Sequence, residues 1–427
     1  MTMRTTGSLL LAAGLIAACG GADTDSGEAP APDATAGTTA APAAPAAGVA
    51  FAASPEIERV TAPPDAPVEA LVAGFNDAGF ELLRDLPSEG NVVFSPASIG
   101  HAVLLAEPAA DEATAAAIAS AFGLPPDAHD AWNAIDRQIV ASRSEQVTVR
   151  IADRLWPRAG TEPDQGWIDL VASRHGVDVV PLDFTDQEAS QRAINGWVGE
   201  QTDGLIPDLL DSPPSAETVM MITDALYVAA DWATPFAKWG PVRGTFTTFD
   251  GTGVPVAFMQ ELELEGPRGT GDGFVGAEVP YAGWEYSMLV LVPDADRYEE
   301  LIERIDQGLL DEIDARFTTG PYELRLPKWE DDYDIDLVPW LTELDVAPGS
   351  FPAISPEASL GGAAHAADIA VDEYGTVAAA ATSLEILESG APEPELLVAA
   401  DRPFVYLVRH RDTGLVLFAG HVTDPTA

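Results

Sequence analysis

The stretch Asp372-Glu373-Tyr374-Gly375-Thr376-Val377-Ala378-Ala379-Ala380-Ala381-Thr382 lies roughly 50 residues from the C-terminus. Alanine is the best helix former, so local propensity alone reads a short helix here. Gly375 opposes that reading, because glycine is costly inside a helix and natural at a hinge. Ser383 to Pro394 carries no helical stripe and ends in turn formers. In an extended chain, Thr376, Ala378, Ala380 and Thr382 point one way, and Val377, Ala379, Ala381 and Ser383 the other. The first face is all alanine and threonine, and no charge or proline occurs from Gly375 to Thr382. Such a segment can stand exposed and still enter between two strands without overpacking them. A charge would oppose that through burial, and a proline through a lost ladder donor.

Outward from this stretch, composition sets the limits. The 427 residues are 47% hydrophobic, enough for a sizeable core, and the length allows two or three domains. Formal net charge is −48, with 69 acids against 21 bases, and only Lys238 and Lys328 are lysines. Charge of that sign excludes electrostatic binding to nucleic acid or to an anionic membrane.

The N-terminus reads as an address. Leu9 to Ala18 is an apolar run too short to span a bilayer and suited to a signal-peptide core. It leads into Leu15-Ile16-Ala17-Ala18-Cys19-Gly20, which resembles a bacterial lipobox, with Cys19 lipidated. Gly20 rather than Asp after the cysteine leans, by that resemblance, towards the outer membrane, with the body facing periplasm or cell exterior. Cys19 is the only cysteine, so no disulfide framework, Cys-based metal site or cysteine nucleophile is expected. The expected organisation is a signal peptide over 1–18, an Ala/Pro-rich tether over 19–67, and a folded body over 68–427. The tether has almost no large apolar residues to bury. Its reach as a coil is on the order of 35–40 Å.

Within the body, apolar spacing predicts helices over 68–86, 99–106, 111–122, 130–142, 165–175 and 186–200, and further helices within 298–317. Strands are expected over 91–94, 147–152, 177–184, 219–227, 286–292 and 322–328. Two apolar runs around Asp412-Thr413-Gly414 read as a closing hairpin. Helices lead and strands follow, which indicates an α+β fold.

Enzymatic signatures are missing. The six histidines (101, 129, 175, 365, 410 and 421) show no zinc-helix spacing, and the chain has no Gly-x-Ser-x-Gly elbow and no phosphate-cradling glycine loop. No catalytic residue, metal or cofactor is assigned, and the chain is not expected to be an enzyme.

Six blocks in order resemble one family. They are Asn91-Val92-Val93-Phe94-Ser95-Pro96-Ala97-Ser98-Ile99; Asn195-Gly196-Trp197-Val198 with Thr202-Asp203-Gly204-Leu205-Ile206; and Asp224-Ala225-Leu226-Tyr227 with Trp232 and Pro235-Phe236. The rest are Leu326-Pro327-Lys328, Asp401-Arg402-Pro403-Phe404, and Phe418-Ala419-Gly420-His421-Val422. Together with the hinge stretch they resemble the serpins over 68–427. That resemblance implies one domain with three β-sheets, eight or nine α-helices and an exposed reactive loop, here about 373–394. It implies a serine protease inhibitor that acts as a suicide substrate. The protease cleaves the loop and is held as an acyl-enzyme while the loop inserts into the central sheet. The alternative is a non-inhibitory serpin serving as a binding or chaperone-like module.

The resemblance also assigns residues. Glu373, Gly375, Thr376, Ala378, Ala380 and Thr382 match the hinge. Ser95, Ser98, Asn195 and His365 resemble the shutter, a hydrogen-bond cluster that opens during insertion. Trp197, Lys328 and Glu373 resemble the breach at the top of the sheet. Three departures stand out: Tyr374 replaces a usual charge, Asp224 a usual Asn, and Ala109 to Thr114 lacks a usual Gly. No basic helix resembles a heparin site, so no polyanion cofactor is expected, and the molecule is expected to be a monomer.

Counting from Glu373 as relatives do places the reactive bond at Ser389–Gly390, with Leu387 and Glu388 as alternative specificity residues. A small residue there suits an elastase-like or subtilisin-like protease. No Arg or Lys lies between Glu373 and Pro394, which argues against trypsin-like targets.

Overall fold

The computed structural model describes residues 57–236, 240–376 and 396–427. Nine α-helices occur among them: α1 (Val68–Asp85), α2 (Pro96–Ala106), α3 (Glu112–Ala121), α4 (Ala128–Ala141), α5 (Gln165–His175), α6 (Gln187–Gln201), α7 (Tyr298–Arg304), α8 (Gln307–Arg316) and α9 (Val338–Glu343). The strands are β1 (Val92–Phe94), β2 (Val147–Pro157), β3 (Asp178–Val179), β4 (Met220–Asp231), β5 (Val242–Thr247), β6 (Gly253–Gly271), β7 (Phe274–Pro280), β8 (Tyr286–Pro293), β9 (Thr318–Leu326), β10 (Trp329–Asp336), β11 (Ala364–Val371), β12 (Gly375–Thr376), β13 (Leu397–Ala399), β14 (Phe404–His410) and β15 (Val416–Val422).

Several helices begin on a capping acid or hydroxyl. Ser95 accepts from the Ser98 N–H at the start of α2, with Pro96 in the first turn. Asp111, Asp164, Asp186 and Asp306 do the same for α3, α5, α6 and α8. Part of the acidity is thus spent on orphan N–H groups.

One six-stranded sheet runs β10-β11-β12-β4-β2-β3. The other strands form a nine-stranded network in which the long β6 pairs β5 over its first third, β9 in the middle and β7 at its end. The expected three sheets therefore appear as one separate sheet and two that share β6. The predicted C-terminal hairpin is the antiparallel β14–β15 pair, buried along its length.

Alternation on β4 decides which residues face what. Leu226, Val228 and Ala230 enter the main core with Val147, Val149, Ile369 and Val371. Ala225 faces the other way, with Trp156, Phe184 and the α6 residues Ile194, Trp197 and Val198. Asp224, two residues before Leu226, therefore lies on the core side, towards α2.

Two expectations are revised. The strand expected over 177–184 is ladder only at β3, followed by an isolated bridge from Leu182 to Arg158, because Pro181 has no N–H to donate. The segment expected to close the tether is partly docked. The Val60 N–H donates to Ser173 O at 3.0 Å, the Ala62 N–H to Asn133 Oδ1 at 3.1 Å, and Arg59 pairs with Asp136 at 2.5 Å. Few apolar side chains are needed when backbone groups and one arginine find partners on α4 and α5.

Candidate functional site: the gap between β11 and β4

β11 and β4 make no ladder with each other among the described residues. They are joined only by β12, a strand of two residues. Thr376 pairs with Val371 on β11 and with Ala230 on β4, and Gly375 with Asp231, both antiparallel. Residues 364–370 and 220–229 therefore flank a strand position that no described residue fills.

The hinge is held at the top of this gap by a tight turn and three hydrogen bonds from one segment, Trp232 to Phe236. Asp372 Oδ1 accepts from the N–H groups of Tyr374 (2.7 Å) and Gly375 (3.2 Å). The Trp232 N–H donates to Tyr374 O (2.7 Å), its indole Nε1–H to Asp372 O (2.9 Å), and the Phe236 N–H to Glu373 O (2.8 Å). Thr376 is 1% exposed, and its hydroxyl lies 2.6 Å from that of Tyr281, whose ring stacks on Trp232. Burial pushes the Tyr281 phenol well above its ordinary range, so it is neutral and can donate. A Cβ at Gly375 would stand 2.0 Å from Ala230 O, so only glycine lets the hinge lie this close to β4. Lys328 and Glu373 form the expected ion pair, half-exposed on the lysine side.

Lower in the gap, the Ser95 N–H donates to His365 Nε2 at 2.9 Å, and the Ser98 N–H to Ser95 Oγ at 3.0 Å. This ties β11 to the start of α2. His365 is an acceptor here and thus neutral; burial lowers its pKa to about 4. Ser95, Ser98 and His365 are therefore brought together as expected.

Asn195 is not with them. It sits on α6, where Nδ2 donates to Asp208 Oδ1 (3.2 Å) and Leu210 O (3.0 Å), and Oδ1 accepts from the Leu210 N–H (2.9 Å). Its polar atoms are all used to hold the loop after its own helix. The β4 residue facing α2 is instead Asp224, with Oδ2 2.8 Å from His101 Nδ1. Burial, and then the neighbouring Asp153, push Asp224 up to about 8; burial pushes Asp153 up to about 7.

Trp197 is likewise displaced from its expected place. It packs on Trp156 beneath α6, with Arg154 over its ring. The tryptophan at the top of the gap is Trp232. Both corrections come from one block, Asn195-Gly196-Trp197-Val198, which is helical and serves α6. The signal for the right residues was already in the chain, in Asp224-Ala225-Leu226-Tyr227 and the Trp232 that directly follows the strand.

Cys19, the hinge positions Ala378, Ala380 and Thr382, and the reactive-bond candidates Leu387, Glu388, Ser389 and Gly390 lie outside the described residues.

The family model for serpins, serine protease inhibitors, matches residues 73–425. A serpin-like protein of Thermococcus kodakarensis is 28% identical, over 83% of this chain and 86% of its own. The native-state structure of a thermophilic serpin, tengpin, superposes with a TM-score of 0.78 at 23% identity, covering 86% of this chain and 97% of that one. Human thyroxine-binding globulin, solved with its thyroxine ligand, gives a TM-score of 0.74 at 21% identity, over 84% of this chain and all of that one. The chain belongs to the serpin family. Its members are mostly protease inhibitors rather than enzymes, and the globulin is a fold neighbour whose structure was solved as a complex with thyroxine.

Proposed function

We propose that the protein is a single-use inhibitor of serine proteases, acting through insertion of its own cleaved loop between β11 and β4. The observation that carries this reading is the two-residue strand β12, seated at the mouth of a strand position left otherwise unpaired among the described residues.

Continuing the β12 register into the gap defines what would enter. Position 378 falls between Val228 and Ile369, 380 between Leu226 and Ala367, and 382 between Asp224 and His365. Thr376, Ala378, Ala380 and Thr382 then share the core face. The residues asked to enter a packed core are three small side chains after a threonine already buried. The β4 edge runs out at Met220, opposite position 386, just before Leu387 to Gly390. In this scheme the protease's catalytic serine attacks the Ser389 carbonyl, an ester forms, and the Gly390 amine leaves. Insertion carries the ester-linked protease to the far end of the sheet before water can cleave the ester. Each ladder hydrogen bond adds about 0.5–1.5 kcal/mol net, so a strand paired on both edges supplies on the order of 10 kcal/mol.

Ser389 at the cut favours elastase-like or subtilisin-like targets, with Leu387 and Glu388 as alternative determinants. Attachment to a bacterial envelope through lipid on Cys19, and a monomeric state, belong to the same proposal; the lipobox-like Leu15 to Gly20 supports the first. No helix of the described residues is long and apolar enough to cross a membrane. A non-inhibitory role is the competing reading, and a thyroxine-binding relative of the same fold gives it a precedent. The small-residue hinge favours the inhibitory reading, since its side chains are ones that an entering strand can bury without overpacking. Incubation with a small-pocket serine protease decides: an inhibitor gives an SDS-resistant covalent complex, whereas a cleaved chain with no complex overturns the proposal.

A further inference from the structure

Beneath the gap lies a buried group of charges that the trapping scheme does not use. Asp153 on β2 and Asp224 on β4 stand directly opposite each other in the ladder. Like charges so placed destabilise a sheet. Their side chains are 8% and 3% exposed, and among the described residues neither forms an ion pair with an arginine or lysine. Both face His101 of α2, whose Nδ1 is 3.0 Å from Asp153 Oδ1 and 2.8 Å from Asp224 Oδ2. Asp224 Oδ1 is buried and has no hydrogen-bond partner among the described residues. One imidazole nitrogen and two carboxylate oxygens thus lie within 4.8 Å of one another.

We propose that His101, Asp153 and Asp224 bind one divalent transition-metal ion, zinc being the best match, and that the ion ties α2 to the β2–β4 pair. Zinc takes imidazole nitrogen and carboxylate oxygen at about 2.0–2.2 Å, so these donors need move apart by only a few tenths of an ångström. One imidazole with two carboxylates and no thiolate suits zinc, cobalt or manganese. Two facing carboxylates ask for the positive charge that such an ion supplies.

The surroundings fit a metal ligand. His101 Nε2 is 2.9 Å from His175 Nδ1, and His175 Nε2 is 2.8 Å from His129 Nδ1. If each ring donates outward along this chain, the Nδ1 lone pair of His101 is left for the ion, and the outer imidazoles fix its tautomer. Trp132 stacks on the His101 ring with centroids 3.9 Å apart and holds its plane. A cavity of about 340 Å³, lined by Arg59, Asp136, Asp153 and His175 among others, opens beside Asp153. It offers a route in from the Asp153 side.

The mechanical consequence rests on the inhibitory reading; the binding does not. α2 also carries Ser95, which holds His365 of β11. An ion clamping His101 to β2 and β4 would brace both sides of the gap against the same helix and slow its opening.

The full-length chain, stripped with chelator, is titrated with Co²⁺ in visible absorption and with Zn²⁺ in calorimetry. One Co²⁺ per chain, with d–d bands and no thiolate charge transfer, displaced by one equivalent of Zn²⁺, is the expected result. Asp224→Asn and Asp153→Asn, each checked by far-UV circular dichroism, should weaken binding on the order of 100-fold or more, beyond the loss seen for outer-shell partners. No stoichiometric binding to the wild type, or unchanged affinity in both variants, overturns the proposal. If one variant fails to fold, the other carries the comparison. Where the chain traps a protease, saturating Zn²⁺ should slow trapping at least threefold in the wild type and not in Asp224→Asn. Equal slowing in both would remove the clamp but not the site. A chain that binds the ion and traps nothing refutes the inhibitory reading alone.

Discussion

The Thr376 hydroxyl lies 2.6 Å from that of Tyr281, with both side chains buried, so the first residue of the insertable face is already inside the sheet. Replacing it by arginine asks the core to hold an unpaired charge at a position that is 1% exposed. Thr376→Arg should therefore be cleaved as a substrate, with the covalent complex reduced at least tenfold. Thr376→Val keeps shape and loses one buried bond, a cost of about 1 kcal/mol, and should still trap. Undiminished trapping by the arginine variant would refute the hinge assignment.

Gly375→Ala tests the close approach to β4. The added Cβ would meet Ala230 O at 2.0 Å, so β12 must leave the sheet or the backbone must shift. Strain of this kind costs about 1–3 kcal/mol, and the melting temperature should fall accordingly. The fluorescence of Trp232, which donates to Tyr374 O and Asp372 O beside the hinge, should change with it. An alanine variant as stable as the wild type would mean that the hinge does not need this approach. Lys328→Ala, by contrast, removes a half-exposed ion pair and should cost under about 1 kcal/mol.

The register makes a separate prediction at Thr382. In the proposed inserted strand it would fall between Asp224 and His365, so Thr382→Glu would bring a carboxylate beside a buried aspartate. Insertion should begin normally and stall late. The expected readout is more cleaved, uncomplexed inhibitor per complex formed, by roughly threefold or more. Trapping equal to the wild type would show that the inserted strand follows another register.

His365 supplies a pH dependence. Its Nε2 accepts the Ser95 N–H only when neutral, and burial holds its pKa at about 4, below the ordinary 6.5. Between these values the unfolded chain binds the extra proton, so the contribution is complete above about pH 6.5 and is lost as pH falls through about 4. His421, lowered to about 4 by burial, acts in the same window. His365→Gln keeps an acceptor without the titration, and its urea stability should fall less steeply between pH 6.5 and 4.5, by about 1.4 kcal/mol per pH unit. Parallel stability curves for the two proteins would remove His365 from the account.

Much of this was readable from residues alone, and the failures have a common cause. The helix α5 was predicted with its observed bounds, because an Asp cap and a Gly stop bracket a periodic run. Of the hinge, Gly375 and Thr376 are found as a two-residue strand between β11 and β4, and the small residues after them lie outside the described residues. Asn195 and Trp197 were misplaced because a sequence block fixes residue types but not the layer they serve. Both belong to α6 and hold its own surroundings. Asp224 and Trp232 took the expected places, and Asp224 did so as a departure from the family's usual Asn. The Asp153–Asp224–His101 group was not legible at all, since strand pairing alone sets two aspartates 71 positions apart side by side. The docking of Arg59 was hidden for a similar reason: its partners, Asp136 and Arg174 O, lie on helices distant in sequence.

The most direct test of the central claim is to mix the full-length chain with pancreatic elastase or subtilisin and run the products under denaturing conditions. The account predicts an SDS-resistant band of inhibitor plus protease, and a released C-terminal peptide whose mass begins at Gly390. Clean cleavage with no covalent band, or a stable complex with trypsin and none with either small-pocket enzyme, would contradict it.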